Sequence, residues 1–440
     1  MIYYNKLLIL EKQIMRNLLF LVNTLLFGFI GSNSFAAGFT VDSHSTSGLA
    51  NAYAGASTGA HDIGDSFFNP ATLSGIKTSN LVISASYLDI DIDDDGAVGQ
   101  YHNSGFVAGS RNDNAGVDAL IPAFFFATPV NDEITLGINS TIPFGLSTKY
   151  DKNWVGRYHA VESNIETANI NASLSYEVNP RLSAGVGLQA QYLKATLTKM
   201  VDTASHPLIL LTPGTMDVMG KVKGDDWGYG FNLGVKYKVN DDFEVGVGYR
   251  SKIKHKLEGK VQIQSAALSY PKSDFNAPLT TPETLIFGFK HNLTNRLLLV
   301  QDTSWTRWSR LKTLDINAIE TPSLSESTEM NWKDTWKYAI GLNYKANHKW
   351  LFRSGLAYEE GAVDKDRNPR LPTGDKVWTG VGFEYSMSDK TKIDFTYLHE
   401  FFKKTNTSID NSDPGIPVSS LDNNSKTSLN LFSIALKMEF

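Results

Sequence analysis

From Asn80 to the C-terminus, apolar and polar residues alternate along the chain. In WGYGFNLGVKYKV, Tyr229, Phe231, Leu233, Val235, Tyr237 and Val239 share one parity, and Gly228, Gly230, Asn232, Gly234, Lys236 and Lys238 the other. A period of two puts successive side chains on opposite faces of a strand, so each such run predicts a strand with one apolar face. RLSAGVGLQAQYLKATLTK repeats the pattern, with Leu182, Ala184, Val186, Leu188, Ala190 and Tyr192 opposing Arg181, Ser183, Gly185, Gly187, Gln189 and Gln191. FEVGVGYR (243–250) and YAIGLNY (338–344) follow suit.

The connections alternate too. Short turns fall near Asn131-Asp132, Asn179-Pro180, Asn240–Asp242, Asn292–Asn295, Asn347-His348 and Ser388–Lys390, six in all. Long polar stretches lie near 93–118, 150–162, 200–226, 265–279, 314–331, 360–374 and 405–424, seven in all. Thirteen connections join fourteen strands, an even number that lets the first and last strands pair antiparallel with both termini on the short-turn side. Apolar-out strands with short turns at one end and long loops at the other describe an outer-membrane barrel. In lipid only a closed sheet leaves no strand edge unsatisfied. A secreted sandwich or solenoid is the alternative, but the chain has no fixed-period repeat, and a sandwich needs no such asymmetry of loops. The expected fold is therefore all-β, a fourteen-stranded transmembrane barrel. Its last strand, LFSIALKMEF, aligns Phe432, Ile434, Leu436, Met438 and Phe440 and ends on an aromatic residue. Such an end resembles the mark read by barrel-assembly machinery.

The N-terminus supplies a compartment. Residues 15–36 carry a basic Arg16, an apolar run from Leu18 to Ile30 and small residues at Ser34 and Ala36, the layout of a cleavable export leader. The apolar run is shorter than the roughly 20 residues of a spanning helix. Three parts are expected: a leader over 1–36 with Met15 as the true start, a compact piece over 37–78, and the barrel over 79–440. The chain has no cysteine, which excludes a disulfide framework, and a formal charge of −5, which gives no argument for nucleic acid.

The compact piece does not alternate. Residues 45–55, STSGLANAYAG, suit a short small-residue helix, and Asn69 before Pro70 reads as an N-cap followed by proline in the first turn. Taken together, GFTVDSHSTSGLANAYAG and DIGDSFFNPATLSGI resemble the N-terminal hatch of the FadL family, outer-membrane transporters of long-chain fatty acids and other hydrophobic compounds. The matching residues are Ala37-Gly38-Phe39, then Ser47 to Gly55, then Asn69-Pro70-Ala71. FATPVNDEITLGINSTIPFGLSTKY, WGYGFNLGVKY, LTTPETLIFGFKHNL, DTSWTRWSRLKTL and WKDTWKYAIGLNY follow in family order. The resemblance thus covers essentially the whole mature chain. It implies a barrel whose lumen is plugged by the hatch, gated at Ala37, Gly38, Phe39, Asn69, Pro70 and Ala71.

The resemblance also implies a mechanism: capture of a hydrophobic ligand at the extracellular loops, transfer inward, a shift of the mature N-terminus, and sideways exit through a gap in the third strand. Local residues bear on each step. Pro143 cannot donate to a ladder, so pairing is expected to fail over Ile142, Pro143, Phe144 and Gly145; alternatively Pro143 ends the strand at the membrane rim. On the fifth strand the parity of Gln189 and Gln191 continues to Leu193, Ala195, Leu197 and Lys199, an apolar wall capped by a cation. That suits a carboxylate with a long tail. Lys199 also aligns with a ligand-contacting arginine of the family, and the alternative is a loop-base lysine facing water or lipopolysaccharide. The second basic contact of the family falls at Thr328, with Lys333 nearby, which puts a two-cation clamp in doubt and leaves room for an uncharged aromatic hydrocarbon. The loops near 150–162 and 200–226 are the expected ligand grips, the second through its apolar run HPLILLTPG (206–214). The chain lacks Gly-x-Ser-x-Gly, His-Glu-x-x-His and Gly-x-x-x-x-Gly-Lys motifs, so no enzyme, cofactor or metal is expected. An open porin or an adhesin is a weaker rival. The expected partners are a long-chain fatty acid or other hydrophobic small molecule, outer-membrane lipid and lipopolysaccharide, with the protein a monomer.

Overall fold

A computed structural model describes residues 38–440, apart from 102–104, 112–113, 203–213, 265–271, 364–367, 372–373 and 410–418. The leader, Ala37 and nearly all of the apolar run 206–214 lie outside the described residues.

Fourteen barrel strands follow one another: β1 Asn80–Tyr101, β2 Ala119–Pro129, β3 in two pieces (Ile134–Thr141 and Gly145–Lys149), β4 Glu162–Asn179, β5 Leu182–Asp202 and β6 Asp217–Lys238. Then come β7 (Phe243–Arg250 and Ile253–Gln264), β8 (Lys272–Thr281 and Thr284–Thr294), β9 Leu297–Thr306 and β10 Thr335–Lys345. β11 Trp350–Glu359, β12 Lys376–Ser386, β13 (Thr391–Phe402 and Thr405–Ile409) and β14 Ser419–Glu439 complete the wall. Each strand pairs antiparallel with the next, and β14 closes on β1, from Asn80 opposite Glu439 to Tyr101 opposite Ser419. A small hairpin, Thr313–Ala318 with Glu326–Glu329, rises within the β9–β10 connection.

The faces are inverted relative to a soluble protein. Tyr229, Phe231, Leu233, Val235, Tyr237 and Val239 are all exposed, Tyr229 at 75%, and so are Val186 and Leu188 on the neighbouring strand. Their opposite-parity neighbours Gln189, Gln191 and Asn232 are buried, as are Asn169 and Asn171 on β4. An outward apolar row around a polar interior is what a strand crossing lipid requires.

Residues 38–79 lie against the inward faces of that wall. Helix α1, Thr46–Ala50, is N-capped by the Ser45 hydroxyl, which accepts from the Gly48 amide, and it packs on β11–β14. A 3-10 turn over Ile63–Phe67 touches β1 and β2, and another over Pro70–Leu73 touches β3–β6. The wall makes room by omitting side chains: a Cβ at Gly185 would fall 2.4 Å from the Ala71 nitrogen, and one at Gly355 would fall 2.2 Å from the Asn51 carbonyl carbon. Gly185 and Gly355 are thus places where a second backbone comes close.

Candidate functional site

The Asn-Pro-Ala corner is built as a cap and a bolt. Asn69 Oδ1 accepts from the Ala71 amide at 2.9 Å, capping the 3-10 turn that Pro70 begins. Its Nδ2 donates to the Ser57 carbonyl at 2.6 Å and to the Val235 carbonyl of β6 at 3.0 Å. One amide side chain therefore caps a turn, crosses the segment and ties it to the wall. Gly234 is the complementary vacancy in β6, since a Cβ there would overlap Asn69 Oδ1.

Close by, a cluster of charges fixes the same end of the segment. Lys437 Nζ of β14 lies 2.9 Å from Asp62 Oδ2, 3.0 Å from Glu384 and 2.6 Å from Asp394, and donates to the Ser47 hydroxyl at 2.9 Å. Arg353 Nη2 pairs with Glu384 at 2.9 Å, and its Nη1 lies 3.4 Å from Asp394. Burial pushes the Asp62 carboxyl up, but the Lys437 ammonium and the hydrogen bonds from Ser47 and Gly64 outweigh it and bring it to about 2. A buried charge is tolerated only when paired and hydrogen-bonded, and here four strands, β11 to β14, supply the partners.

The other end of the segment meets the break in β3. The ladder stops at Thr141 and resumes at Gly145, so Ile142, Pro143 and Phe144 lie outside it. β2 pairs with β3 from Pro129, opposite Thr135, to Phe124, opposite Ser140. Backbone from residues 39–41 occupies the break: the Val41 amide donates to the Pro143 carbonyl at 2.9 Å, and the Gly145 amide donates to the Phe39 carbonyl at 2.8 Å. On the β4 side, the Thr167 hydroxyl accepts from the Phe144 amide at 3.0 Å and donates to its carbonyl. The Phe39 ring sits among Phe144, Trp308 and Trp332, with centroids 5.6, 5.0 and 5.9 Å away. Gly38 has φ +63, and a Cβ there would strike the Trp308 ring at 2.4 Å, so this position demands glycine twice over.

Beneath this bridge lies a small cavity of about 70 Å³, partly open to solvent, lined by Thr40, Asp42, Pro143, Phe144, Arg250 and Lys337 among others. Asp42 holds Lys337 at 3.2 Å, and the same ammonium lies 3.3 Å from the centre of the Trp378 ring. His44 is buried among Tyr53, Phe67 and Phe68. Burial pushes its imidazole down to about 4, Asp42 opposing and Arg250 and Lys337 adding to the effect.

Toward the long loops, Leu193 is fully buried in the core, and Ala195 and Leu197 pack against it. Lys199 stands at the end of that row and pairs with Glu326 of the β9–β10 hairpin at 2.8 Å, both side chains partly exposed. Thr328 lies in the same short strand, and the Lys333 amide donates to the Ala362 carbonyl. The β3–β4 loop is packed rather than open. Tyr150 stacks on Trp154 at 4.1 Å, Tyr150 Oη donates to the Pro369 carbonyl, and Arg157 Nε pairs with Asp217 at 2.7 Å. Arg370 of the β11–β12 loop reaches across to the Glu162 and Thr198 carbonyls, and beyond Leu193 it is Thr196 and Thr198 that are buried, while Ala195, Leu197 and Lys199 are half-buried.

Residues 28–440 match the model of a family described as outer membrane protein transport protein (OMPP1/FadL/TodX). The chain belongs to this family. It is 27% identical over 400 residues to a long-chain fatty acid transport protein of Escherichia coli O6:H1, covering 84% of this chain and 88% of the relative. It is 28% identical over 402 residues to outer membrane protein P1 of Haemophilus influenzae, covering 84% and 87%. Among solved structures it resembles a Pseudomonas aeruginosa FadL homologue, with a TM-score of 0.84 and 26% identity over 91% of this chain and 99% of that one. The Ralstonia pickettii toluene transporter TbuX shares the fold, with a TM-score of 0.68 at 20% identity over 91% and 99% of the two chains. The protein is accordingly an outer-membrane β-barrel of the FadL/TodX family, whose named relatives are transport and outer-membrane proteins rather than enzymes.

The FadL/TodX resemblance was legible from the sequence, but several site residues were not singled out there. Asp42 and Lys337 are one example, and the Asp62, Arg353, Glu384 and Lys437 cluster is another. Their only sequence mark is parity: Arg353 and Lys437 are cations on the inward face of strands whose other face is apolar.

Proposed function

We propose that the protein takes up long-chain fatty acids across the outer membrane by passive diffusion, with residues 37–78 acting as a hatch and the ligand leaving sideways through the break in β3. The observation that carries this reading is the bridge of Phe39 and Val41 across Ile142–Phe144. The only non-ladder stretch of β3 is held by backbone that belongs to no strand, so withdrawing it opens the wall without breaking the barrel. The Leu193–Leu197 wall ending in Lys199 gives a desolvated path for an alkyl chain with a cation at its mouth. The names of the fatty acid transport relatives favour the same substrate class.

One observation favours a second reading, uptake of neutral aromatic hydrocarbons. Lys199 already has a carboxylate partner in Glu326, and Thr328 supplies no second cation. Binding of purified, refolded protein to oleate and to toluene, each with wild type and Lys199→Ala, separates the two. Oleate binding weakened by the substitution supports the fatty acid; toluene binding indifferent to it, with no oleate binding, moves the substrate to neutral hydrocarbons. Passive uptake is tested by collapsing the proton-motive force while intracellular trapping is controlled: ligand still crosses the outer membrane if the reading holds.

A further inference from the structure

We infer that the outward face of β6 and β7, just above the lipid band, is a docking surface for the phosphorylated sugar head of lipopolysaccharide, centred on Lys223, Lys254 and Lys260. The inference rests on the outer-membrane location of the barrel and is independent of the transport reading above.

Tyr192 of β5 and Trp227 of β6 are cross-strand partners with ring centroids 5.4 Å apart, and Trp227 and Tyr229 are exposed on the outward face. Aromatic rows of this kind mark the level at which a barrel leaves the hydrocarbon. Toward the long loops the same outward row continues through Asp225, Lys223 and Lys221. Lys223 is four residues beyond Trp227, roughly 13 Å along the strand at about 3.4 Å per residue. On a tilted strand that reaches the sugar and phosphate layer above the acyl chains. On β7, Tyr249 ends the lower outward row opposite Leu233, and the break at Ser251-Lys252 resets the parity. Beyond it Lys254, Lys256, Glu258 and Lys260 are exposed, while Ile253, His255, Leu257 and Val261 are buried.

The two upper rows meet in a way that calls for a third party. Lys223 is the direct antiparallel partner of Lys260. Like charges directly opposite each other weaken a sheet, and an anion between them turns that repulsion into a shared contact. Among the described residues no carboxylate lies within ion-pairing distance of Lys221, Lys223 or Lys254. Lys256 pairs with Glu258 and Lys260 with Asp274, but these four side chains are between 46% and 66% exposed, and pairs so exposed are weak enough for a phosphate to displace. The acids of the same rows, Asp225 and Glu258, lie one level nearer the lipid, with Lys194 opposite the first and Lys256 bonded to the second. An acylated sugar bearing phosphates fits this order of layers: acyl chains along Tyr229 and Trp227, phosphates among the lysines above. The β1 side of the wall has the opposite character. Its outward row carries Asp89, Asp91 and Asp93, all exposed, with Lys426 of β14 facing Asp93.

The experiment uses the full refolded protein in detergent with EDTA, so that no divalent cation bridges carboxylate to phosphate, and reads bound lipid by native mass spectrometry. The probes are diphosphoryl lipid A, the same lipid dephosphorylated, and phosphatidylglycerol as a second source of lipid phosphate. Wild type is expected to retain diphosphoryl lipid A and to release the other two. Each lysine beside an anionic lipid contributes roughly fivefold, so changing Lys223, Lys254, Lys256 and Lys260 together to Gln is expected to weaken binding by at least about a hundredfold. Changing the same residues to Arg keeps the charge and is expected to keep the binding. The variant Asp89→Asn, Asp91→Asn, Asp93→Asn is expected to bind as wild type does. Unchanged migration of each unheated variant on a gel shows that the barrel has assembled. Failure of wild type to retain diphosphoryl lipid A overturns the inference, as does equal affinity in wild type and the Gln variant. Equally tight binding of the dephosphorylated lipid, or of phosphatidylglycerol, also overturns it, the latter reassigning the face to phospholipid.

Discussion

The two ends of the N-terminal segment are held in opposite ways. At the Asn69–Ala71 corner and its neighbour Asp62, the bonds are buried, multivalent and electrostatic, and they reach β6, β12, β13 and β14 at once. At the tip, Phe39 to Asp42, the contacts include two backbone hydrogen bonds to the β3 break, a ring packed among aromatic neighbours and the Asp42–Lys337 ion pair. The segment thus has a root held by buried charges and a tip held by backbone bonds and packed rings.

The largest expected effect comes from attacking the root. Lys437→Met takes from Asp62 its Lys437 partner and leaves Glu384 with Arg353 and Lys392, and Asp394 with Arg353, and breaking such a buried cluster costs about 3–5 kcal/mol. Denaturant titration of the detergent-solubilised barrel measures the loss, and a change below 1 kcal/mol, on the order of an exposed pair, would show that the cluster is not holding the root. Asn69→Ala removes a cap and two further hydrogen bonds and is expected to cost roughly 2 kcal/mol of docking. Replacing Asn69-Pro70-Ala71 by three alanines should leave the barrel assembled and uptake impaired; unchanged uptake sinks the hatch reading.

Acid should loosen the tip before the root. The docked His44 imidazole, at about 4, binds a proton less readily than an exposed one near 6.5. Docking is therefore at full strength above about pH 6.5 and weakens as pH falls toward about 4, losing roughly 2 kcal/mol at pH 5. Asp42, Arg250 and Lys337 face this ring, so His44→Gln is the control: it should flatten the pH dependence of hydrogen exchange over 39–53. Equal steepness in wild type and variant would assign the effect elsewhere.

Pro143→Val restores a donor in the β3 break. It is expected to slow ligand exit several-fold while leaving oleate binding unchanged, which pre-steady-state release from proteoliposomes can follow. The smallest effect on stability is expected from Lys199→Ala, about 1 kcal/mol or less, because its pair with Glu326 is partly exposed. Its effect on oleate binding separates the two substrate readings.

Much of this architecture is visible in the residue pattern because lipid imposes a period on it. Tyr229 to Val239 must face outward, so the wall, its strand count and its closure follow from alternation and turn spacing. The cap at Asn69 is equally local, needing only its own side chain and the proline after it. Contacts across the lumen are not local. Asp42 and Lys337 are 295 residues apart, and Asp62 meets Lys437 only once the first and last strands pair. Parity says that Lys437 and Arg353 point inward; it does not say which carboxylate each finds. Nor does alternation reveal that Lys199 is already committed to Glu326, because that partner sits on a hairpin folded over from the β9–β10 connection.

The position of Lys437 has a consequence for biogenesis. The cation that secures Asp62 sits in the last strand to be made, in the run whose final residue, Phe440, donates its amide to the Ser79 carbonyl where the segment ends and the wall begins. The strand that closes the sheet on β1 is thus the strand that pairs Asp62, and a chain cut short of β14 would forfeit both contacts together.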